Sequence, residues 1–307
     1  MTERQLASLE SKFSAGNYYD LLQSYKALFF RNSNANKTKE TVALLVSGAT
    51  IFLKYEQWNC AAELCSLLVE TYKKSKTTYD DVSKNTIITL FKGFRCNDNV
   101  AMTNFMRDAI KWSATSGAGE RGSPEFHALL ADTLAASGDY IGAQKHYIFG
   151  NDPASFATML NNWVPKDDKS EGDLYIARAV FGYLCVKNLK DASVLFQSFV
   201  QLQGIEQANF TPLLNYIRFL LLTLERDALP LFNILKQKYA PTIARDPMFS
   251  KYLEQIANIY YKVPIQQSGG LGALLSGLMG GMNSPLFGGG GGNGGNDDVS
   301  MEDDEMD

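Results

Sequence analysis

A short pattern recurs about every forty residues along this chain: a polar turn, an aromatic or aliphatic residue, and usually a small residue three positions later. The large residues of the pattern are Tyr18, Trp58, Val100, Tyr140 and Leu189, at intervals of 40, 42, 40 and 49 residues. Such a period accommodates two helices and two turns and is typical of solenoid repeats. We therefore predict an all-α solenoid of irregular helical hairpins, similar to TPR or HEAT repeats.

The large residue of each repeat is predicted to open the second helix of its hairpin and to fill the wedge between the two helices. Ala61, Ala143 and Ala192, one helical turn later, would let the helices approach closely. Leu21 and Thr103 stand at the same place in the other two repeats and break the small-residue rule. The repeat is therefore degenerate.

The segment Leu202–Phe210 is less regular than the rest, and either a pair of short strands forming a β-hairpin or a plain loop fits it. Pro212 then opens a helix of almost continuous hydrophobicity, LLNYIRFLLLTL. A helix that is apolar on every side is predicted to be covered on most sides.

The composition changes abruptly at Ser268. The final forty residues hold thirteen of the 25 glycines and seven acidic residues, with no Lys or Arg. Such a segment cannot bury enough apolar area to offset its ordering entropy, so we expect it to be disordered. The chain is accordingly divided into an N-terminal solenoid half (1–150), a C-terminal solenoid half (151–267) and a Gly-rich acidic tail (268–307).

Charge and apolar patterning exclude several classes of protein. The net charge is −4, but without the tail it becomes +3, which is too mild for nucleic-acid binding. We expect no secretory signal and no stable membrane insertion, because the longest apolar run, Leu213–Leu224, is interrupted by Asn215 and Arg218. Four cysteines within helical patterns indicate small buried residues of a reducing compartment, which predicts the cytosol.

The sequence offers no catalytic constellation. Its two histidines, His127 and His146, fall on different helices and are more typical of packing or surface residues than of metal ligands. The phosphate-binding pattern GxxxxGK[ST] does not occur. We therefore expect a protein that is not an enzyme and has no catalytic residue, cofactor or bound metal.

The remaining candidate for a functional site is a protein-binding surface in the first repeat. Tyr18, Tyr19, Lys26 and Arg31 lie there, and aromatic and Arg side chains are enriched at the centres of protein interfaces. The alternative is that the tyrosine Tyr18 packs internally while Lys26 and Arg31 are merely solvated.

Seven segments give the chain a close resemblance to the Golgi-to-ER traffic protein 4 family, a cytosolic subunit of the machinery that delivers tail-anchored membrane proteins. They are GNYYDLLQSYKALFFR (16–31), LVSGATIFL (45–53), AAELCSLLVE (61–70), GSPEFHALLADTL (122–134), SVLFQSFV (193–200), PLLNYIRFLLL (212–222) and RDPMFSKYLEQIANIYYKVP (245–264).

The resemblance implies a non-catalytic helical adaptor. The N-terminal half would bind the targeting ATPase of the pathway, and the family's N-terminal motif points to Tyr18, Tyr19, Lys26 and Arg31 here. The C-terminal half would hold a ubiquitin-like partner and, in animals, a BAG-family scaffold protein.

For the ubiquitin-like partner, we expect a surface formed by the irregular segment and the apolar helix after it. Its predicted contact residues are Phe210, Leu213, Leu214 and Ile217. An apolar strip left uncovered usually has a partner. The alternative is that neighbouring helices of the same chain cover this helix fully.

A competing hypothesis is a helical-repeat scaffold subunit of another complex, such as the proteasome lid, the signalosome or a trafficking coat. Such subunits usually end in a winged-helix or similar assembly module. This chain instead ends in an acidic tail that we expect to be disordered.

Overall fold

A computed structural model describes residues 17–95, 100–164 and 171–265, and every regular element within these ranges is helical. The prediction of an all-α solenoid is confirmed. The α-helices are α1 (Tyr18–Asn34), α2 (Thr38–Lys54), α3 (Trp58–Lys74), α4 (Asp81–Gly93), α5 (Val100–Thr115), α6 (Pro124–Ala136), α7 (Tyr140–Tyr147), α8 (Pro153–Trp163), α9 (Gly172–Cys185), α10 (Leu189–Leu202), α11 (Pro212–Glu225), α12 (Leu229–Lys238), α13 (Ala240–Ile243) and α14 (Pro247–Tyr261).

The five large residues of the repeat are each the first residue of a helix, as predicted: α1, α3, α5, α7 and α10. Their ring contacts reach forward along the chain. Trp58 at the start of α3 lies 6.2 Å from the ring of Phe94, which follows α4, and Tyr140 at the start of α7 stacks at 5.6 Å on Trp163 at the end of α8. At these two places the rings therefore join one hairpin to the next in the stack.

Four helix starts carry the same local signal, a capping side chain followed by proline. The side-chain oxygen of the capping residue accepts a hydrogen bond from a backbone N–H of the first turn, and the proline supplies a helical φ where no N–H is needed. The pairs are Ser123-Pro124 at α6, Asp152-Pro153 at α8, Thr211-Pro212 at α11 and Asp246-Pro247 at α14.

The early helices form two layers. α2 packs on α3 within a hairpin, while α1 contacts α3, α3 contacts α5 and α2 contacts α4 across repeats. Each helix thus buries its apolar stripe partly against its own hairpin and partly against a neighbouring one.

The last helix, α14, does not follow this pattern of packing between neighbouring hairpins. α14 packs mainly against α9, five helices earlier, with the ring of Phe249 edge-on to Phe181 at 5.1 Å. Since α9 also contacts α10 and α11, twelve of its fourteen residues are buried. The C-terminal helices therefore wrap around α9 rather than extend the stack.

The stretch 202–210 is a loop, and the β-hairpin alternative is wrong. Leu202 ends α10, Gly204 adopts a φ of +62°, and Gln207–Asn209 form one turn of 3-10 helix. Backbone N–H groups find local acceptors here: those of Gly204 and Phe210 donate to the carbonyls of Gln201 and Gln207. These groups are satisfied without a strand partner.

The described residues up to Pro264 belong to one compact unit, and the helices described above all lie within it. The boundary between the two solenoid halves at residue 150 stays a prediction. The tail, 268–307, lies outside the described residues, as does Cys96.

Gly48 allows α1, α2 and α3 to meet. A Cβ atom at this position would lie 2.7 Å from the ring of Tyr25 and 2.8 Å from Leu64, two side chains with no exposed surface. We predict that Gly48→Ala lowers the free energy of unfolding by about 2 kcal/mol, because overpacking outweighs the better helix propensity of alanine.

Thermal unfolding would show this as a fall in Tm of roughly 4–8 °C. The control is Thr50→Ala on the exposed side of the same helix, which should shift Tm by no more than about 2 °C. An unchanged Tm in Gly48→Ala would mean that the three helices are not held at this distance.

Candidate partner-binding surfaces

One outward stripe of α1 combines aromatic rings with a cation. Tyr19, Lys26 and Phe30 are spaced seven and four residues apart, which places them on one face of the helix. Tyr19 is 70% exposed and Phe30 58% exposed, while the neighbouring face of α1 packs inward through Leu22, Tyr25 and Phe29. We call Tyr19, Lys26 and Phe30 the α1 stripe.

The cation of the α1 stripe is already paired. The Lys26 ammonium donates a hydrogen bond to the carboxylate of Glu63 on α3, and the Lys26 side chain is 25% exposed. An exposed ion pair of this kind adds little stability. A partner that approaches this face therefore meets a Lys–Glu pair between two exposed aromatic rings, not an isolated positive charge.

The other two residues predicted for the ATPase surface lie elsewhere on α1. Tyr18 is half-buried, with its ring 6.3 Å from that of Tyr55. Arg31 is exposed in the last turn and lies about 140° around the helix from Lys26. The structure thus brings Tyr19 and Lys26 together and separates them from Arg31. Phe30 was missed, although its spacing from Lys26 would have found it.

The second predicted surface is the loop between α10 and α11, residues 203–211, which we call the α10–α11 link. Residues Glu206–Asn209 are exposed, and Phe210 is half-buried with its ring 5.9 Å from Phe196 in an edge contact. Phe210 therefore presents part of its ring at the surface while being held from behind.

The remaining three residues predicted for this surface are in the core. Leu213, Leu214 and Ile217 are 0%, 2% and 0% exposed, because α9, α10 and α12 pack around α11. The alternative considered for this helix, that the chain covers it fully, holds for these three residues but not for Phe219 of the same helix, which is 37% exposed. None of these three side chains is accessible in the folded chain, and only Phe210 of the four can meet a partner.

Exposed apolar side chains do occur nearby, at positions that the sequence analysis passed over. Leu202 at the end of α10 is 50% exposed, and Leu231 and Ile234 on α12 are 46% and 56% exposed. Only Phe232 of α12 is buried. A ten-residue helix with one buried residue and two exposed aliphatic ones is a surface element, and the spacing LPLFNIL carries that signal.

The described residues show little that could support catalysis. They contain no group of three or more His, Cys, Asp or Glu side chains able to hold a metal ion. A groove of about 400 Å³ between α2 and α4 is lined mainly by Val and Thr side chains such as Val46, Thr86 and Thr89. No helix in the described ranges is long and apolar enough to cross a membrane.

Cys65 and Cys185 are buried, and burial raises the pKa of both thiols. They are packing residues, as predicted. Cys60 is half-buried on α3, and burial, followed by the charge of Glu63, raises the pKa of its thiol.

The comparisons with known proteins agree with one another. A model of the family Golgi to ER traffic protein 4 matches residues 35–282. The Golgi to ER traffic protein 4 homolog of Dictyostelium discoideum is 56% identical over the full length of both chains. The chain belongs to the Golgi to ER traffic protein 4 family. The human homolog is 34% identical and covers 90% of this chain and 85% of its own length.

The fold of this family member matches the crystal structure of C. therm. Get4 with a TM-score of 0.77, at 27% identity, over 94% of this chain and 96% of that one. Family membership implies a role in traffic between the Golgi and the ER. The match to the family model begins at residue 35, after α1, so the α1 stripe lies outside the matched span.

The two histidines of this family member form a buried pair between α6 and α7. His127 Nε2 lies 3.0 Å from the carbonyl oxygen of Arg121 and therefore donates to it. Its Nδ1 is left to accept, so it receives the Nδ1–H of His146 at 2.9 Å. Both rings are neutral in this arrangement. The prediction that these histidines are packing residues is consistent with this geometry.

Burial lowers the pKa of both histidines below the ordinary value of 6.5. For His146, its neighbour His127 and the cations Arg107 and Lys145 lower the pKa further. For His127, the Arg121 charge also lowers the pKa, and the hydrogen bond to the Arg121 carbonyl opposes this.

The pair predicts a dependence of stability on pH. The unfolded chain binds protons near pH 6.5 and the folded chain does not, so the full stability is present above pH 6.5 and is lost as the pH falls below it. Between pH 7.5 and 5.5 the free energy of unfolding should fall by up to about 1.4 kcal/mol per histidine, measured by urea unfolding.

The comparison variant is His146→Asn, whose amide can still donate to His127 but does not titrate. Its stability should fall less than that of the parent over the same pH range. An equal fall in both proteins would assign the pH dependence to other groups.

Proposed function

We propose that this protein is a non-catalytic adaptor that bridges a targeting ATPase and a ubiquitin-like protein during delivery of tail-anchored membrane proteins to the ER. It would act in the cytosol, with a BAG-family scaffold as a further partner where one exists. The observation that carries the proposal is the presence of two separate exposed surfaces, the α1 stripe and the α10–α11 link, on different helices of one solenoid of this family.

The ATPase is assigned to the α1 stripe. Tyr19 and Phe30 are the large exposed rings there, and aromatic side chains commonly dominate binding energy at interface centres. Lys26 and Glu63 between them supply one donor and one acceptor that can be re-paired with charges on the partner. Arg31 adds a positive charge on a different side of α1, where it would affect the rate of encounter more than the contact itself.

The test of this assignment is charge reversal. We predict that Lys26→Glu slows association with the ATPase by about tenfold at low salt, since it places a second carboxylate beside Glu63. The effect should shrink as salt is raised, and it is read from association rates at several ionic strengths. Arg31→Glu should have a smaller effect.

Lys190→Glu provides the matched control, because Lys190 is an exposed lysine on α10 in the other half of the chain. It should leave the association rate unchanged. If Lys26→Glu and the control behave alike, the ATPase binds elsewhere.

The ubiquitin-like protein is assigned to the α10–α11 link and the exposed apolar residues beside it. Of the four contact residues predicted from the sequence, only Phe210 remains, because Leu213, Leu214 and Ile217 are buried. Leu202 at the beginning of the loop is half-exposed and extends the same surface. A partially exposed aromatic side chain beside an exposed leucine fits an apolar contact with a folded protein domain.

We predict that Phe210→Asp abolishes co-purification of the ubiquitin-like protein and leaves ATPase binding intact, because a carboxylate would be desolvated in the contact. The control is Asn209→Asp, which adds the same charge at the neighbouring exposed position without removing a ring. Full co-purification with Phe210→Asp would place the ubiquitin-like protein outside this loop.

Affinity purification of the full chain from its own cells tests the proposal as a whole. We expect an ATPase and a ubiquitin-like protein in stoichiometric amounts. Recovery of proteasome-lid, signalosome or coat subunits instead would overturn it in favour of a scaffold role in another complex.

A further inference from the structure

A single carboxylate oxygen joins three parts of the C-terminal helices. Asp173, in the first turn of α9, is buried, with 4% of its side chain exposed. Its Oδ2 accepts hydrogen bonds from Thr211 Oγ1 at 2.7 Å and from Arg245 Nη1 at 2.8 Å. Charge-assisted bonds to a buried carboxylate are short and strong, and the carboxylate needs them to offset its lost hydration.

Thr211 is the last residue of the α10–α11 link and the N-cap of α11. Its hydroxyl donates to Asp173 and at the same time accepts the backbone N–H of Leu214 at 3.2 Å. One residue earlier, the carbonyl oxygen of Phe210 accepts from Asn215 Nδ2 at 3.2 Å. The end of the link is therefore fixed to α9 and to the first turn of α11.

The middle of the link has one side-chain anchor: with its amide oxygen turned toward the guanidinium, Gln207 accepts hydrogen bonds from Arg218 on α11. Residues Glu206–Asn209 are exposed, and their backbone hydrogen bonds in the described structure are local to the 3-10 turn. At the other end, Gln203 Nε2 donates to Asn161 Oδ1 at 2.8 Å. The link is thus a short exposed arch held at both ends and at Gln207, and Asp173 is the only carboxylate among these anchors in the described residues.

A second ion pair between the same two elements does not reach the link. Arg178 on α9 donates through Nε to Asp246 Oδ2 at 2.8 Å, and Asp246 is the N-cap of α14. Like the Asp173–Arg245 pair, it joins α9 to the start of α14. It offers a control that disturbs the docking of α14 without touching Thr211.

We propose that Asp173 is a positioning residue for the partner of the α10–α11 link: by holding Thr211 it sets the orientation of Phe210, and through Arg245 it couples the docking of α14 to that loop. This inference rests on the proposed binding of the ubiquitin-like protein at Phe210. Fixing a loop in its bound conformation lowers the entropic cost of binding, so loss of the anchor weakens affinity without removing any contact.

The experiment compares four variants for affinity and stability. The probe is the ubiquitin-like protein recovered with the full chain, and its Kd is measured by calorimetry beside the Tm of each variant. Asp173→Leu removes both hydrogen bonds at similar volume, whereas Asp173→Asn keeps an oxygen for Thr211. Thr211→Val removes the donor from the other side, and Arg178→Gln breaks only the second ion pair.

We expect Asp173→Leu and Thr211→Val to raise Kd by about tenfold. Asp173→Asn should retain most of the affinity that Asp173→Leu loses. The Kd of Arg178→Gln should stay within about twofold of the parent's, even if its Tm falls as much as that of Asp173→Leu. Hydrogen exchange at the amide of Leu214 should be faster in Thr211→Val, which reports the loosened anchor in the absence of any partner.

If the rise in Kd is proportional to the fall in Tm in all four variants, Arg178→Gln included, Asp173 has a structural role and the positioning role is overturned. Unchanged Kd in both Asp173→Leu and Thr211→Val would overturn it as well. Failure of the proposed function looks different, because Phe210→Asp would then bind the probe normally.

Discussion

The helices of the stack bury their apolar faces partly against their own hairpin and partly against a neighbouring one, and the rest of the structure depends on this shared burial. The ring at the start of α3 meets a ring after α4, and the ring at the start of α7 stacks on the end of α8. A hairpin taken alone would leave these rings in water. Stability is therefore shared along the stack, and close approaches such as Gly48 against Tyr25 fix the spacing between layers.

The same shared burial explains why the candidate partner-binding surfaces are narrow. A helix flanked on two or three sides leaves one stripe outward, and on α1 that stripe holds Tyr19, Lys26 and Phe30. α11 is flanked on more sides by α9, α10, α12 and α13, so most of its apolar side chains are buried inside the chain, with Phe219 exposed. A helix that is apolar on more than one face can therefore be covered by several helices of its own chain, and its hydrophobicity alone does not indicate a partner protein.

The positions of most helices followed from local signals in the sequence. Repeat residues such as Trp58 and Tyr140 start helices, and the Thr211-Pro212 pair starts α11, because wedge residues and caps act within a few positions of the chain. The return of α14 onto α9 did not follow, since it depends on contacts between segments some seventy residues apart. The sequence left the burial of Leu213 and Ile217 as one of two alternatives, because hydrophobicity alone does not say whether the chain or a partner covers a helix. At the α1 stripe, spacing alone places Lys26 beside Phe30, but the pairing of Lys26 with Glu63 needs two helices in register.

Apolar contacts and polar contacts have different roles in this fold: the first hold the stack together, and the second orient the helices where the chain turns back. Apolar stacking along the solenoid tolerates variation, because one aliphatic or aromatic residue can replace another of similar volume. Where the chain turns back, orientation has to be specified more narrowly, and there the structure uses Asp173 with Arg245 and Arg178 with Asp246.

Buried ion pairs contribute little net stability and can be replaced by apolar residues at little cost. Their value at this place is directional: an oxygen that accepts from both Thr211 and Arg245 allows one arrangement of α9, α11 and α14, whereas a leucine would allow several. The α10–α11 link is attached to that junction through Thr211, so the hydrogen bond that helps to orient the helices also fixes one end of the link.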